Sequence, residues 1–197
     1  MLLGIGLLAA ILVFAAFTIR LIDSGMPPPE QYPTLFLLVG PLGQAASAAL
    51  FLGSAASMHF AGYDKGTLLT SMGGSVFSII GVWVALLLLG FAVFFMLFAL
   101  TAVFDGAFKR QLKYSMLWWG TIFPVATVNT AWISLSIVMD SPTFRALSSI
   151  FLLALLIVYF GNWFFTIYHL ATGKVLGGVT FSTARADEMH EDSTKAE

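Results

Sequence analysis

The stretch WWGTIFPVATVNTAW, residues 118–132, carries no charge and lies inside a long apolar run, yet it holds a proline, three threonines and an asparagine. A helix that has only to sit in hydrocarbon gains nothing from such groups, because each polar group taken out of water needs a partner. The apolar run around this stretch extends over about 116–138. Four more runs of that kind flank it, at about 2–21, 35–57, 75–103 and 147–170. A hydrocarbon core about 30 Å thick is crossed by about 20 apolar helical residues, and each run meets that length. Of 197 residues, 59% are hydrophobic and 10% charged, with a mean hydropathy of +0.93. Soluble domains carry about 25% charged residues. The runs are too long for barrel strands of about 10 residues. An all-α integral membrane protein with five spans is expected, with a membrane domain over 1–177 and a disordered, polar tail over 178–197.

Several function classes are disfavoured by composition. There is no cysteine, which excludes disulfides, iron–sulfur clusters and thiolate metal sites. The net charge is −1 and no basic patch offers itself to nucleic acid. No Lys, Arg, Asp or Glu falls in the middle of a span, which argues against a carboxylate proton relay, a Schiff-base lysine or a charged ion-binding centre. His59, His169 and His190 lie at span ends or in the tail and offer no paired ligands for haem or metal. No nucleophile–base pair stands out, so neither an enzyme nor a cofactor nor a metal is expected. The first apolar run starts at Leu2 with no basic segment before it, and reads as an anchor in place of a cleaved signal.

Basic residues orient the spans. With the N-terminus outside, the inner segments hold Arg20, Lys109, Arg110, Lys113, Lys174, Arg185 and Lys195, and the outer ones only Lys65 and Arg145. A cytosolic C-terminus is therefore expected.

The spans differ in kind. Five of the seven prolines lie between spans; Pro41 and Pro124 lie within the second and fourth. The second span carries Gly43, Ser47, Leu50 and Ser54 at spacings that share one helix face, and the fourth carries Phe123, Thr127, Thr130 and Ser134 at similar spacings. The first, third and fifth are greasy throughout, with Asn162 the main exception. Two readings of the small-polar faces stand side by side. Proline and small residues permit close helix packing in membranes; they also suit kinked helices that line a water-accessible path, because freed carbonyls can be met by hydroxyls or water. The alternation suggests inner second and fourth spans within an outer layer of the other three. Phe123 is the bulkiest side chain on its stripe, so it is either a packing aromatic or a hydrophobic constriction.

Three stretches carry a family likeness. RLIDSGMPPPEQYPTLFLLVGPLGQAASAALFLG (20–53), ALLLLGFAVFFMLFAL (85–100) and WWGTIFPVATVNTAW (118–132) resemble the tellurite-resistance/dicarboxylate transporter family. That family includes fungal sulfite efflux pumps, malate permeases and plant slow anion channels. The Trp118–Trp119 pair followed by Phe123–Pro124 is the most specific match, and GPLGQ (40–44) is closer to the sulfite pumps. The resemblance implies ten helices in five hairpins, with kinked inner helices around a pore, and a trimer with one pore per subunit. The five spans here would be helices six to ten of that fold. Phe123 would gate, Pro41 and Pro124 would kink their helices, and Gly43, Ser47, Ser54, Thr127, Thr130 and Ser134 would line the path. The implied function is a plasma-membrane anion transporter or channel, foremost for sulfite efflux. A malate or other C4-dicarboxylate carrier on the same scaffold is the alternative. The first five helices of the fold have no counterpart in these residues. A truncated, split or non-transporting partner subunit is therefore a third reading, of a different class.

Overall fold

The computed structural model of the chain describes residues 1–172; positions 173–197, with the expected tail, lie outside the described residues. Five α-helices follow one another: α1 (Leu2–Ser24), α2 (Val39–Tyr63), α3 (Ser71–Phe108), α4 (Ile122–Val138) and α5 (Pro142–Ala171). Two 3-10 segments, Pro29–Leu38 and Met116–Thr121, run directly into α2 and α4. With those segments counted in, all five spans are long and apolar enough to cross a membrane. No strand occurs among the described residues beyond one isolated bridge between Lys65 and Leu69. The protein is an all-α integral membrane protein.

Helix ends differ from the sequence expectation in instructive ways. The run read as 75–103 is a helix of 38 residues. At 1.5 Å per residue that is about 57 Å, far more than the hydrocarbon core, so its ends stand beyond the lipid tails. It starts early because Thr70 caps it: its hydroxyl accepts from the Gly73 N–H at 3.1 Å. α5 starts at Pro142, a residue suited to the first helical position because its missing N–H has no intrahelical partner to lose.

The proline-rich stretch before α2 is not a loop throughout. Pro29–Leu38 forms ten residues of 3-10 helix with Pro33 inside it, where runs beyond 3–4 residues are uncommon. Pro41 and Pro124 are each the third residue of the α-helix that follows a 3-10 segment. N–H groups in the first turn have no intrahelical acceptor, so neither proline breaks the α-helix it sits in. Each stands at a change of helix type, not in the middle of a continuous α-helix. The two 3-10 segments pack against each other, and α2 packs on both α3 and α4.

The layering follows the alternation in composition. The buried share of the spanning window is 67% for Pro29–Tyr63 and 50% for Met116–Val138, against 33% for α3, 11% for α1 and 6% for α5. The polar-poor α3 nevertheless has a definite inner face, in which small residues predominate beside Leu89, Phe95 and Met96. Gly74, Gly81, Ala85, Ala92, Ala99, Ala102 and Gly106 are buried at spacings of three, four and seven. A Cβ on Gly81 would lie 2.7 Å from the Ala49 carbonyl oxygen, and one on Gly74 would lie 2.6 Å from that of Ala56. The α2 and α3 backbones therefore touch directly, as small residues permit where there is no hydrophobic drive between helices in lipid. The opposite face of α3 exposes Trp83, Leu87, Phe94, Leu97 and Phe104. An apolar surface of that extent would be untenable in water and is ordinary against acyl chains. α1 is held by Phe14, whose ring stacks on Phe95 at 5.3 Å and meets Phe91 edge-on at 5.9 Å.

The chain divides into two compact units at Val158 and Tyr159. All the packing above belongs to the first. In the described part of the second, Thr166 Oγ1 donates to the Asn162 carbonyl at 2.7 Å.

Candidate functional site

The six small-polar candidates and Phe123 separate into two sets. Gly43, Ser47 and Thr127 meet in the seam between α2 and α4. A Cβ on Gly43 would fall 2.6 Å from both Thr127 Oγ1 and the Val128 backbone nitrogen. Thr127 is 6% exposed, and its hydroxyl donates to the Pro124 carbonyl at 2.7 Å with the Gly40 carbonyl a second acceptor at 3.3 Å. Ser47, 5% exposed, directs its hydroxyl at the Thr127 carbonyl at 3.5 Å, the long limit for such a bond. Pro124 is fully buried beside Gly40.

The second set faces outward. Phe123 is 65% exposed although its neighbour Pro124 is fully buried. Seven residues on, Thr130 lies about 20° from it around the helix and is also exposed; Ser134, a further four on, is half-buried. Thr127 sits about 40° away from Phe123, which is enough to turn it into the seam. Ser54 on α2 is half-buried and Pro41 is exposed. The Thr130 hydroxyl donates to the Ala126 carbonyl at 3.0 Å, and that of Ser134 to the Thr130 carbonyl at 3.0 Å. Each therefore presents only lone pairs to a passing solute until it rotates. To stabilise an anion it must exchange its helix carbonyl for the anion, a trade between two hydrogen bonds of which the charged one is stronger.

Two features of this region are not visible as candidates in the sequence. Gly40 supplies a carbonyl acceptor to the seam, within reach of the Thr127 hydroxyl, and is not merely a neighbour of Pro41. Asn129 is 3% exposed, and its Oδ1 has no hydrogen-bond partner among the described residues. A lone asparagine in a hydroxyl-rich stretch carries no sign of its direction; only the packing shows it turned inward. Among the described residues no three His, Asp or Glu side chains come together in a metal-ligand group.

This arrangement, a helix with a 3-10 lead, a buried proline and an outward phenylalanine before it, belongs to a sequence that matches a family model over residues 1–167, that of the voltage-dependent anion channel. The chain is a member of that family. Among curated proteins it is similar to the sulfite efflux pumps SSU1 of Trichophyton rubrum and Arthroderma benhamiae, 25% identical to each over 166 residues. The corresponding pump of Arthroderma otae is 24% identical over the same length. The matched region is 84% of this chain but 42% of each of those proteins, so the chain spans less than half the length of the relatives it matches. No solved structure matches. The Trp118–Trp119 pair falls in the 3-10 lead of α4, where the Trp118 indole donates to the Lys113 carbonyl at 3.3 Å.

Proposed function

We propose that the chain contributes the α4 face to an anion-conducting path, and that sulfite is the anion carried outward. The observation that carries this reading is the exposure of Phe123 at 65% next to a buried proline, on a face shared with Thr130 and Ser134. A large ring left outside the core, on a face that carries hydroxyls, is placed to occlude a narrow path. Family membership and the similarity to sulfite efflux pumps support an anion as the solute. In this reading the five spans are helices six to ten of the fold, and Phe123 is its gate. Thr130, Ser134 and Ser54 border the path, while Gly43, Ser47 and Thr127 set the spacing of the two helices behind it. The plasma membrane as the site of action, a cytosolic C-terminus and a trimeric assembly are parts of the same proposal.

The test is flux of sulfite and of malate into liposomes holding this chain, with wild type and Phe123→Ala side by side. A rise in sulfite flux in the variant supports the gate and the substrate together. Preference for malate moves the substrate to C4-dicarboxylates. Flux that is present but equal in the two proteins removes Phe123 from the path. No flux from folded protein favours the partner-subunit reading.

A further inference from the structure

A furrow runs between α1 on one side and the 3-10 segment Pro29–Leu38 with α2 on the other. One end is a cleft of about 490 Å³ walled by Phe14 and Phe17 of α1 and by Leu35, Leu38 and Pro41. Arg20 and Gln31 stand at the mouth. Both are exposed, and Arg20 has no ion-pair partner among the described residues. The acidic residues of this end do not line the cleft; Asp23 instead accepts from the Ser24 hydroxyl at 3.3 Å.

The dimensions point to a particular occupant. Arg20 is four residues from the end of α1, about 6 Å along its axis, so its guanidinium reaches the headgroup layer by extending along its own stem. Below it the apolar wall continues to Ala10, ten residues or about 15 Å further, which is half a hydrocarbon core. A slot one leaflet deep, apolar along its length and closed at the interface by an unpaired guanidinium, has the polarity profile of a single phospholipid. A second cavity of about 560 Å³ continues the furrow past Pro41, but no charged residue lines it. The cation is therefore what distinguishes the first cleft.

We infer that the cleft seats one anionic phospholipid. Its phosphate is held in a forked contact by Arg20 with the Gln31 amide beside it, and one acyl chain lies along Phe17, Phe14 and Leu38. Basic pockets between membrane helices select anionic headgroups because one unpaired positive charge is left over for a net negative lipid and not for a zwitterion.

The experiment is native mass spectrometry of the chain released from nanodiscs of equal parts phosphatidylglycerol and phosphatidylcholine. Wild type is compared with Arg20→Gln, Arg20→Lys and, as a cation removed elsewhere, Arg145→Gln. Expected is one retained phosphatidylglycerol per chain, favoured over phosphatidylcholine roughly five-fold, the ratio set by one basic residue at the surface. Arg20→Gln brings the two lipids to parity, while Arg20→Lys and Arg145→Gln keep the preference. Equal retention by wild type overturns the inference, as does a preference that survives Arg20→Gln. So does a lipid-free dimer in which a second copy fills the furrow.

Discussion

The side chain that Gly43 lacks would stand 2.6 Å from the hydroxyl of Thr127. That absence lets the two inner spans close on each other until the Thr127 hydroxyl has a carbonyl of each helix in range, Pro124 at 2.7 Å and Gly40 at 3.3 Å. Small residues and a bifurcated hydroxyl together hold the seam where hydrophobic drive is missing.

Gly43→Ala should therefore destabilise the protein by about 1–3 kcal/mol, the usual cost of forcing extra volume into a filled site. Gly40→Ala is the matched control, because its Cβ would meet Pro124 at 3.7 Å, an ordinary contact. Thermal unfolding in one detergent, followed by circular dichroism, compares them. Equal melting of the two variants would mean that the seam relaxes and that Gly43 is not required there.

The Ser47–Thr127 contact should be weak. At 3.5 Å the bond is long, and interhelical hydrogen bonds in membranes average about 0.6 kcal/mol because the separated helices also find partners. Because the acceptor is the Thr127 backbone carbonyl, Ser47→Ala alone deletes the bond, and it should cost less than about 1 kcal/mol in the same melts. A loss several times larger would show that the hydroxyl contact, more than the glycine, closes the seam.

How much of this was legible beforehand depends on which property each residue exposes in a one-dimensional reading. The five spans were, because twenty apolar residues leave few alternatives in lipid. The inner position of the second and fourth was too, since Gly43, Ser47 and Thr127 crowd small and polar groups where lipid would reject them. The division of the stripe was not. Thr127 differs from Phe123 and Thr130 by a fraction of a turn, less than face-level periodicity resolves, and only the position of α2 decides which of them is covered. The inner face of α3 was hidden for another reason. Gly74, Gly81 and Ala85 are apolar, so a stripe of small residues looks the same as its greasy surroundings when polarity is the signal. The 3-10 leads were equally hidden, because Pro33 and Pro41 read as a loop and a kink until the hydrogen-bond pattern is known.

Asn129 offers a test of burial without partnership. No described residue donates to its buried Oδ1, at 3% residue exposure, and an unmet buried acceptor carries a penalty of about 1–3 kcal/mol. Asn129→Leu, close in shape and without polar atoms, should unfold at the same temperature as wild type or higher. A clear drop in melting temperature would instead reveal a donor to that oxygen, such as an internal water.

Phe123 separates stability from conduction most sharply. A side chain 65% exposed contributes little packing, so Phe123→Ala should leave unfolding within about 0.5 kcal/mol of wild type. If its ring closes the path, the same change raises anion flux, and Phe123→Trp, which is bulkier, lowers it. Thr130→Val on the same face removes a hydroxyl of wild-type size and should reduce flux by a few-fold, the worth of about one hydrogen bond. Both readouts come from one preparation: circular dichroism in detergent and sulfite flux after reconstitution. A Phe123→Ala protein that melts several degrees lower with unaltered flux would place the ring against a neighbouring surface, where it acts as a packing residue and not as a gate.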